Sequence, residues 1–224
     1  MIPFDMYKDI HKAIRVNLFD VVADAGRLDA NDRGARIAHA ARVCDLVELL
    51  VFHAHHEDTH VEPAVLQVLP DQAAAIAAEH VALEATMEDL KALAYRVFDD
   101  PDGDARSDVH ELYRELALFT SRYLAHQDVE ERVVMPALFD ALGFDAVLAI
   151  DQGIVASIPP AEMAWCLAKM LPAMNIDDRV DMLTGMRAGA PPEVFDGVLA
   201  LAAEVLPATD NDALVAALTV DVAR

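Results

Sequence analysis

The sequence predicts an all-α protein: an up-down-up-down four-helix bundle over residues 1–143, followed by a smaller all-helical C-terminal unit over residues 144–224. Three observations predict it. Glycine and proline are scarce, 8 and 11 in 224 residues, in a chain rich in alanine and leucine, and that balance favours helices over strands. Apolar residues recur at helical spacing through four long stretches. The breaks between those stretches are short, and short loops make consecutive helices run antiparallel.

Ile10, Ile14, Leu18 and Val21 set a first helix over about residues 5 to 25. Arg27 to Gly34 reads as a loop. Ile37, Val43, Leu46 and Leu50 carry a second helix to about residue 69, where Pro70-Asp71 resets the chain and opens a third to about residue 98. Asp99 to Asp104, with Pro101 and Gly103 inside it, is a turn. The fourth helix runs from about residue 105 to 141 through Leu112, Leu116, Phe119 and Tyr123, and Gly143 closes it. Beyond it lie shorter helices of about 10 to 15 residues, separated by Ser157 to Pro160, Asn175 to Asp177, Ala190 to Glu193 and Pro207 to Asp210. Trp165, Met170, Leu171, Met174, Met182, Leu183 and Met186 supply the apolar faces of this second unit, whose methionines also suit it to a protein partner or a second copy of the chain.

A chain of this length buries about 70% of its unfolded surface, enough for a self-sufficient core. With 17 basic against 39 acidic residues the formal net charge is -22, opposite to what draws a protein onto nucleic acid or anionic lipid. No stretch approaches the roughly 18 apolar residues of a membrane span. The acidic N-terminal segment lacks the marks of a secretion signal, so a cytoplasmic location is expected. Cys44 and Cys166 are far apart and read as ordinary buried thiols.

Chemistry concentrates in the histidines. Nine histidines and thirteen glutamates would by chance give about 0.5 His-x3-Glu pairs, yet three occur: His53/Glu57, His80/Glu84 and His126/Glu130. Two of them continue identically, as His53-x3-Glu57-x5-Pro63-Ala64 and His126-x3-Glu130-x5-Pro136-Ala137, each with a second acid, Asp58 or Glu131. This is an internal repeat. A lone histidine precedes each copy on the helix before it, His11 and His80. Four-residue spacing stacks imidazole and carboxylate on one helix face. In an antiparallel bundle all four positions fall at the same end; His80 and His126 each lie roughly 30 Å from the turn joining their helices. Four imidazoles and two carboxylates in a core would cost several kcal/mol each if left unpaired. A metal accounts for them together, and mixed nitrogen and oxygen donors suit iron, with carboxylates able to bridge two ions.

On these motifs the sequence resembles the hemerythrin-like family of di-iron four-helix bundles over about residues 5 to 141. The resemblance implies two non-haem iron ions (Fe2+/Fe3+), held by His11, His53, His80 and His126 and bridged by Glu57, Glu130 and an oxo or hydroxo group. It implies binding of dioxygen, nitric oxide or peroxide for sensing, storage or stress defence; a di-iron enzyme that breaks down peroxide or repairs iron centres is the alternative. Oxygen-carrying members place two histidines four residues apart on the third helix, whereas Ile76 and Glu84 flank His80 here. Glu84 is therefore a further candidate ligand.

Other motifs compete. His56-Glu57-Asp58-Thr59-His60 fits the H-E-x-x-H pattern of zinc hydrolases, with Glu57 as base and a third ligand from Glu79, His80 or Glu84. That reading leaves His11, His126, Glu130 and the repeat unexplained. Glu57-x-x-His60 matches one half of the ferritin-type motif, but Val133 stands where its second histidine would be. His60 remains a candidate ligand or an outer neighbour. His39, His55, His56 and His110 have no partner pattern. Tyr7 and Tyr123 sit one turn before His11 and His126, within reach as hydroxyl donors or as packing residues. Pro63 and Pro136 should kink or end their helices just past the ligands.

Overall fold

The computed structural model describes residues 4–99 and 104–221. All regular structure among them is helical: α1 (Lys8–Ala25), α2 (Arg33–His56), a π-helical turn π1 (Glu57–Val61), α3 (Glu62–Val68), α4 (Pro70–Asp99), α5 (Ala105–Val129), a second π-helical turn π2 (Glu130–Val134), α6 (Met135–Leu142), α7 (Phe144–Ser157), α8 (Pro160–Ala173), α9 (Ile176–Gly189), α10 (Pro192–Val205) and α11 (Ala208–Asp221). The centre of the predicted turn before α5, residues 100–103, lies outside the described residues. The described residues form two compact units, residues 4–7 with 14–154 and residues 8–13 with 155–221. The division falls within α7.

The four rods are α1, α2–π1–α3, α4 and α5–π2–α6, the first unit taking α1 from Ile14 onward. α2 packs on α4, α4 on α5, and α3 on both α4 and α6. The predicted apolar seams are buried: Ile14, Leu18 and Val21 on α1, Val43, Leu46 and Leu50 on α2, and Leu112, Leu116 and Phe119 on α5. Ile37 is an exception, because α2 turns His39 and Ala40 inward and leaves Ile37 exposed. Side-chain caps fix the helix starts: Asp32 accepts the Ala35 N–H at 3.0 Å, and Asp104 accepts from Arg106 and Ser107.

The two π turns are the local feature that periodicity alone does not give. In each, the first carbonyl accepts a hydrogen bond from the residue five positions on, Glu57 from Glu62 and Glu130 from Met135. Pro63 and Pro136 follow immediately. A proline has no N–H for the carbonyl four residues back, and a widened turn on its N-terminal side accommodates that loss while the helix resumes as α3 or α6. The expected kink or stop is thus a bulge of one extra residue, a device common at functional sites. Past the bulges Tyr7, Val61, Val65, Ala73, Ile76, Val134, Met135, Leu138 and Val147 form one apolar cluster.

The second unit packs α8 on α10 and α9 on α11. Its core is Leu167, Leu171, Leu183, Phe195, Val198, Ala202, Leu206, Leu214 and Leu218, with Met163, Met170, Met182 and Met186 partly buried against it. Trp165 is only half-buried, with Lys169 over its ring at 5.1 Å. Buried Arg179 donates from Nε to the Leu171 carbonyl at 2.8 Å and from Nη1 to Asp210 at 3.0 Å, pinning the start of α11 to the end of α8. Cys166 is buried, and that burial pushes its thiol up to about 11, so no thiolate forms at neutral pH. Cys44 is half-buried.

Gly143 ends α6 at φ 79° and ψ 172°, a region only glycine occupies without strain. A Cβ there would meet nothing within 4 Å, so substitution acts through the backbone alone. Gly143→Ala is expected to cost about 1–3 kcal/mol, measured as a lower urea midpoint at unchanged slope.

Candidate metal centre

Each donor is placed by its helix. α1 presents His11 one turn ahead of Ile14, with both fully buried. His53 lies in the last turn of α2 and His126 in the last turn of α5; Glu57 and Glu130 are the first residues of π1 and π2. His80 comes from the middle of α4. All six are buried, none more than 6% exposed.

Their donor atoms converge into two groups of four. His11, His53, Glu57 and Glu130 each bring one such atom within 4.8 Å of the others, and so do Glu57, His80, His126 and Glu130. Both glutamates belong to both groups. Glu57 shows how: Oε1 lies 3.2 Å from His53 Nε2, while Oε2 lies 3.7 Å from His80 Nε2. One carboxylate therefore turns an oxygen toward each half. On the other side Glu130 Oε1 stands 2.9 Å from His126 Nε2 and 3.9 Å from His80 Nε2.

Acids at the rim also reach into this pocket. Asp58 Oδ1 accepts from His80 Nδ1 at 2.6 Å, and Glu79 Oε2 accepts from His126 Nδ1 at 2.9 Å. With Nδ1 the protonated nitrogen in both rings, the Nε2 lone pairs face each other at 3.0 Å. Two bare lone pairs at that distance repel; a proton or a cation must stand with them. Both Glu57 oxygens are buried and accept no hydrogen bond, a costly arrangement for a carboxylate. Facing lone pairs and an unsatisfied buried carboxylate are what a cation resolves, so the residues present fit a metal site.

The electrostatics agree. Burial, then the charges of Glu130 and Asp58, hold the Glu57 carboxyl well above its ordinary range. For His126 burial acts downward, but the hydrogen bonds and charges of Glu130 and Glu79 outweigh it and the net shift is upward. Tyr7 and Tyr123 are fully buried, and burial followed by the charges of Glu57 and Glu130 pushes both phenols up. They stay protonated at neutral pH. Tyr123 packs edge-on to His126, with ring centroids 5.9 Å apart.

All six residues expected from the sequence are brought together. The two further candidates are not. Glu84 is exposed and outside both groups: four residues advance the helix by about 40° beyond a full turn, and α4 spends its inward arc on Ile76, His80, Leu83 and Met87. His60 is half-buried and stacks on His56, with centroids 6.1 Å apart at 21°. Neither His56 nor His60 contributes to a donor group, and Glu57 faces His53 and His80 instead, so the H-E-x-x-H zinc site is not formed. The π turn that opens at Glu57 breaks the regular helix that this motif requires. The contacts of Asp58 and Glu79 escape sequence reasoning; the only signal was an acid adjacent to Glu57 in one case and to His80 in the other.

A helical bundle with paired histidine and glutamate donors at one end defines a metal-binding class of protein. Residues 2–148 match the family model described as the hemerythrin HHE cation binding domain, and the chain belongs to that family. Comparison with curated proteins and with solved structures gave no match.

A raised pKa in the folded state lends stability that is present below the unfolded value and lost as pH rises through the folded one. Glu57 and His126, with ordinary values of 4.5 and 6.5, both act in this sense. Against the opposite pull of His39, whose imidazole burial holds low, their share of the metal-free protein's stability is therefore expected to fall as pH climbs from about 5 to 8. Urea midpoints at the two pH values check it, and Glu57→Gln should flatten the decline.

Proposed function

We propose that this chain is a non-haem di-iron protein that binds a small ligand, dioxygen, nitric oxide or peroxide, in sensing, storage or defence against oxidative stress. The observation that carries this reading is the sharing of Glu57 and Glu130 between the two donor groups. Two separate mononuclear sites would have no reason to share both carboxylates. His11 and His53 would hold one ion, His80 and His126 the other, with the glutamates spanning them. Two histidines with carboxylate oxygens form a donor set that would suit iron.

When bound, iron supplies the redox chemistry toward the small ligand. The protein's own part is to hold, orient and keep dry. Buried histidines fix the donor directions, and the apolar cluster of Val61, Val65, Val134, Met135 and Leu138 keeps water from that end of the unit. The Tyr7 and Tyr123 hydroxyls keep their protons close to the glutamates. The second reading is an enzyme that turns over peroxide, which steady-state assays with peroxide and nitric oxide distinguish from simple binding.

The purified protein is expected to carry close to two irons per chain and to show ligand-to-metal absorption that changes between anaerobic and aerobic solution. A folded, colourless product that takes up no iron would overturn the proposal. Glu57→Ala should abolish the paired site, and metal content should fall as pH drops toward about 5, since the ligands must be deprotonated.

A further inference from the structure

We infer that Asp58 and Glu79 are positioning residues that tune one of the two metal positions, the one served by His80 and His126; the inference rests on the paired-metal reading above. Each acid grips the Nδ1–H of a different ligand histidine, Asp58 that of His80 at 2.6 Å and Glu79 that of His126 at 2.9 Å. Both histidines belong to the same donor group. A carboxylate on Nδ1–H settles the tautomer, stops the ring from rotating and makes Nε2 a stronger donor. Here it does so twice on one ion.

The arrangement crosses the bundle. Asp58 in π1 reaches α4, and Glu79 in α4 reaches α5, so three successive rods are linked through the two rings. The acids stand at the edge of the site: their side chains are 42% and 51% exposed, while both rings are nearly inaccessible. An exposed carboxylate adds little to folding by itself. Its effect falls on the orientation and basicity of the ring behind it. The sequence neighbours of the two acids, Glu57 and His80, point into the pocket, so adjacent residues on one turn serve the inner and outer tiers of the same centre.

The test uses full-length protein loaded with manganese(II). Wild type should bind two ions per chain, and magnetic coupling between them should replace the six-line spectrum of an isolated ion. Asp58→Ala and Glu79→Ala are each expected to release the His80/His126 ion about 10- to 100-fold more readily to a chelator, leaving one ion per chain with an isolated six-line signal. Asp58→Asn and Glu79→Gln keep an oxygen that accepts the Nδ1–H and should restore much of the second ion. General loosening of the fold would instead release both ions together, and that result overturns the inference, as does unchanged retention of two ions in the alanine variants. A wild-type protein that binds no metal pair would sink the paired-metal reading itself, and this inference with it.

Discussion

Two carboxylates buried between four imidazoles are the constraint on which the rest of this unit depends. Glu57 and Glu130 are each almost inaccessible and close enough for the charge of Glu130 to act on Glu57. Without a cation their mutual repulsion and their loss of water both oppose folding. The bundle answers with length: long rods with apolar seams of Ile, Leu, Val and Phe supply the cohesion that the polar end does not. Burial and the charge of Glu130 push the Glu57 carboxyl upward, and a bound cation would relieve both.

Most of this was legible in the sequence, because the two signals involved are local. Helical spacing of apolar residues located the four rods, and the His-x3-Glu-x5-Pro-Ala repeat located four of the six donors. His11 and His80 were placed by topology, since antiparallel rods bring their positions level with the repeats. What was not legible depended on direction around a helix. Glu84 has the right spacing from His80 and points to solvent; His56 and His60 have the right spacing from each other and are pulled out of regular register by the turn that begins between them. Spacing is a reliable guide only while the helix keeps 3.6 residues per turn.

The outer acids illustrate the same limit differently. Asp58 and Glu79 act across space on rings from other helices, and nothing in their own segments announces which ring. The second unit was the hardest to read. Leu171, Met174 and Leu183 were expected in its interior, yet Phe195, Val198, Leu206, Leu214 and Leu218 carry as much of it. Short helices rich in alanine give weak periodicity, so only packing identifies the inward face.

The π turns carry a consequence for how this chain tolerates change in length. Each holds one residue more than a regular turn, and everything after it, Val61 and Val65 in one rod, Val134 and Leu138 in the other, is phased by that surplus. Deleting a single residue between Glu57 and Pro63, or between Glu130 and Pro136, would remove that surplus and close the turn to regular winding, setting the proline ring against the carbonyl four residues before it. Insertions and deletions in the loop before α2 disturb only a connection. Sequence drift in this protein should therefore leave the spacing from glutamate to proline as fixed as the residues themselves.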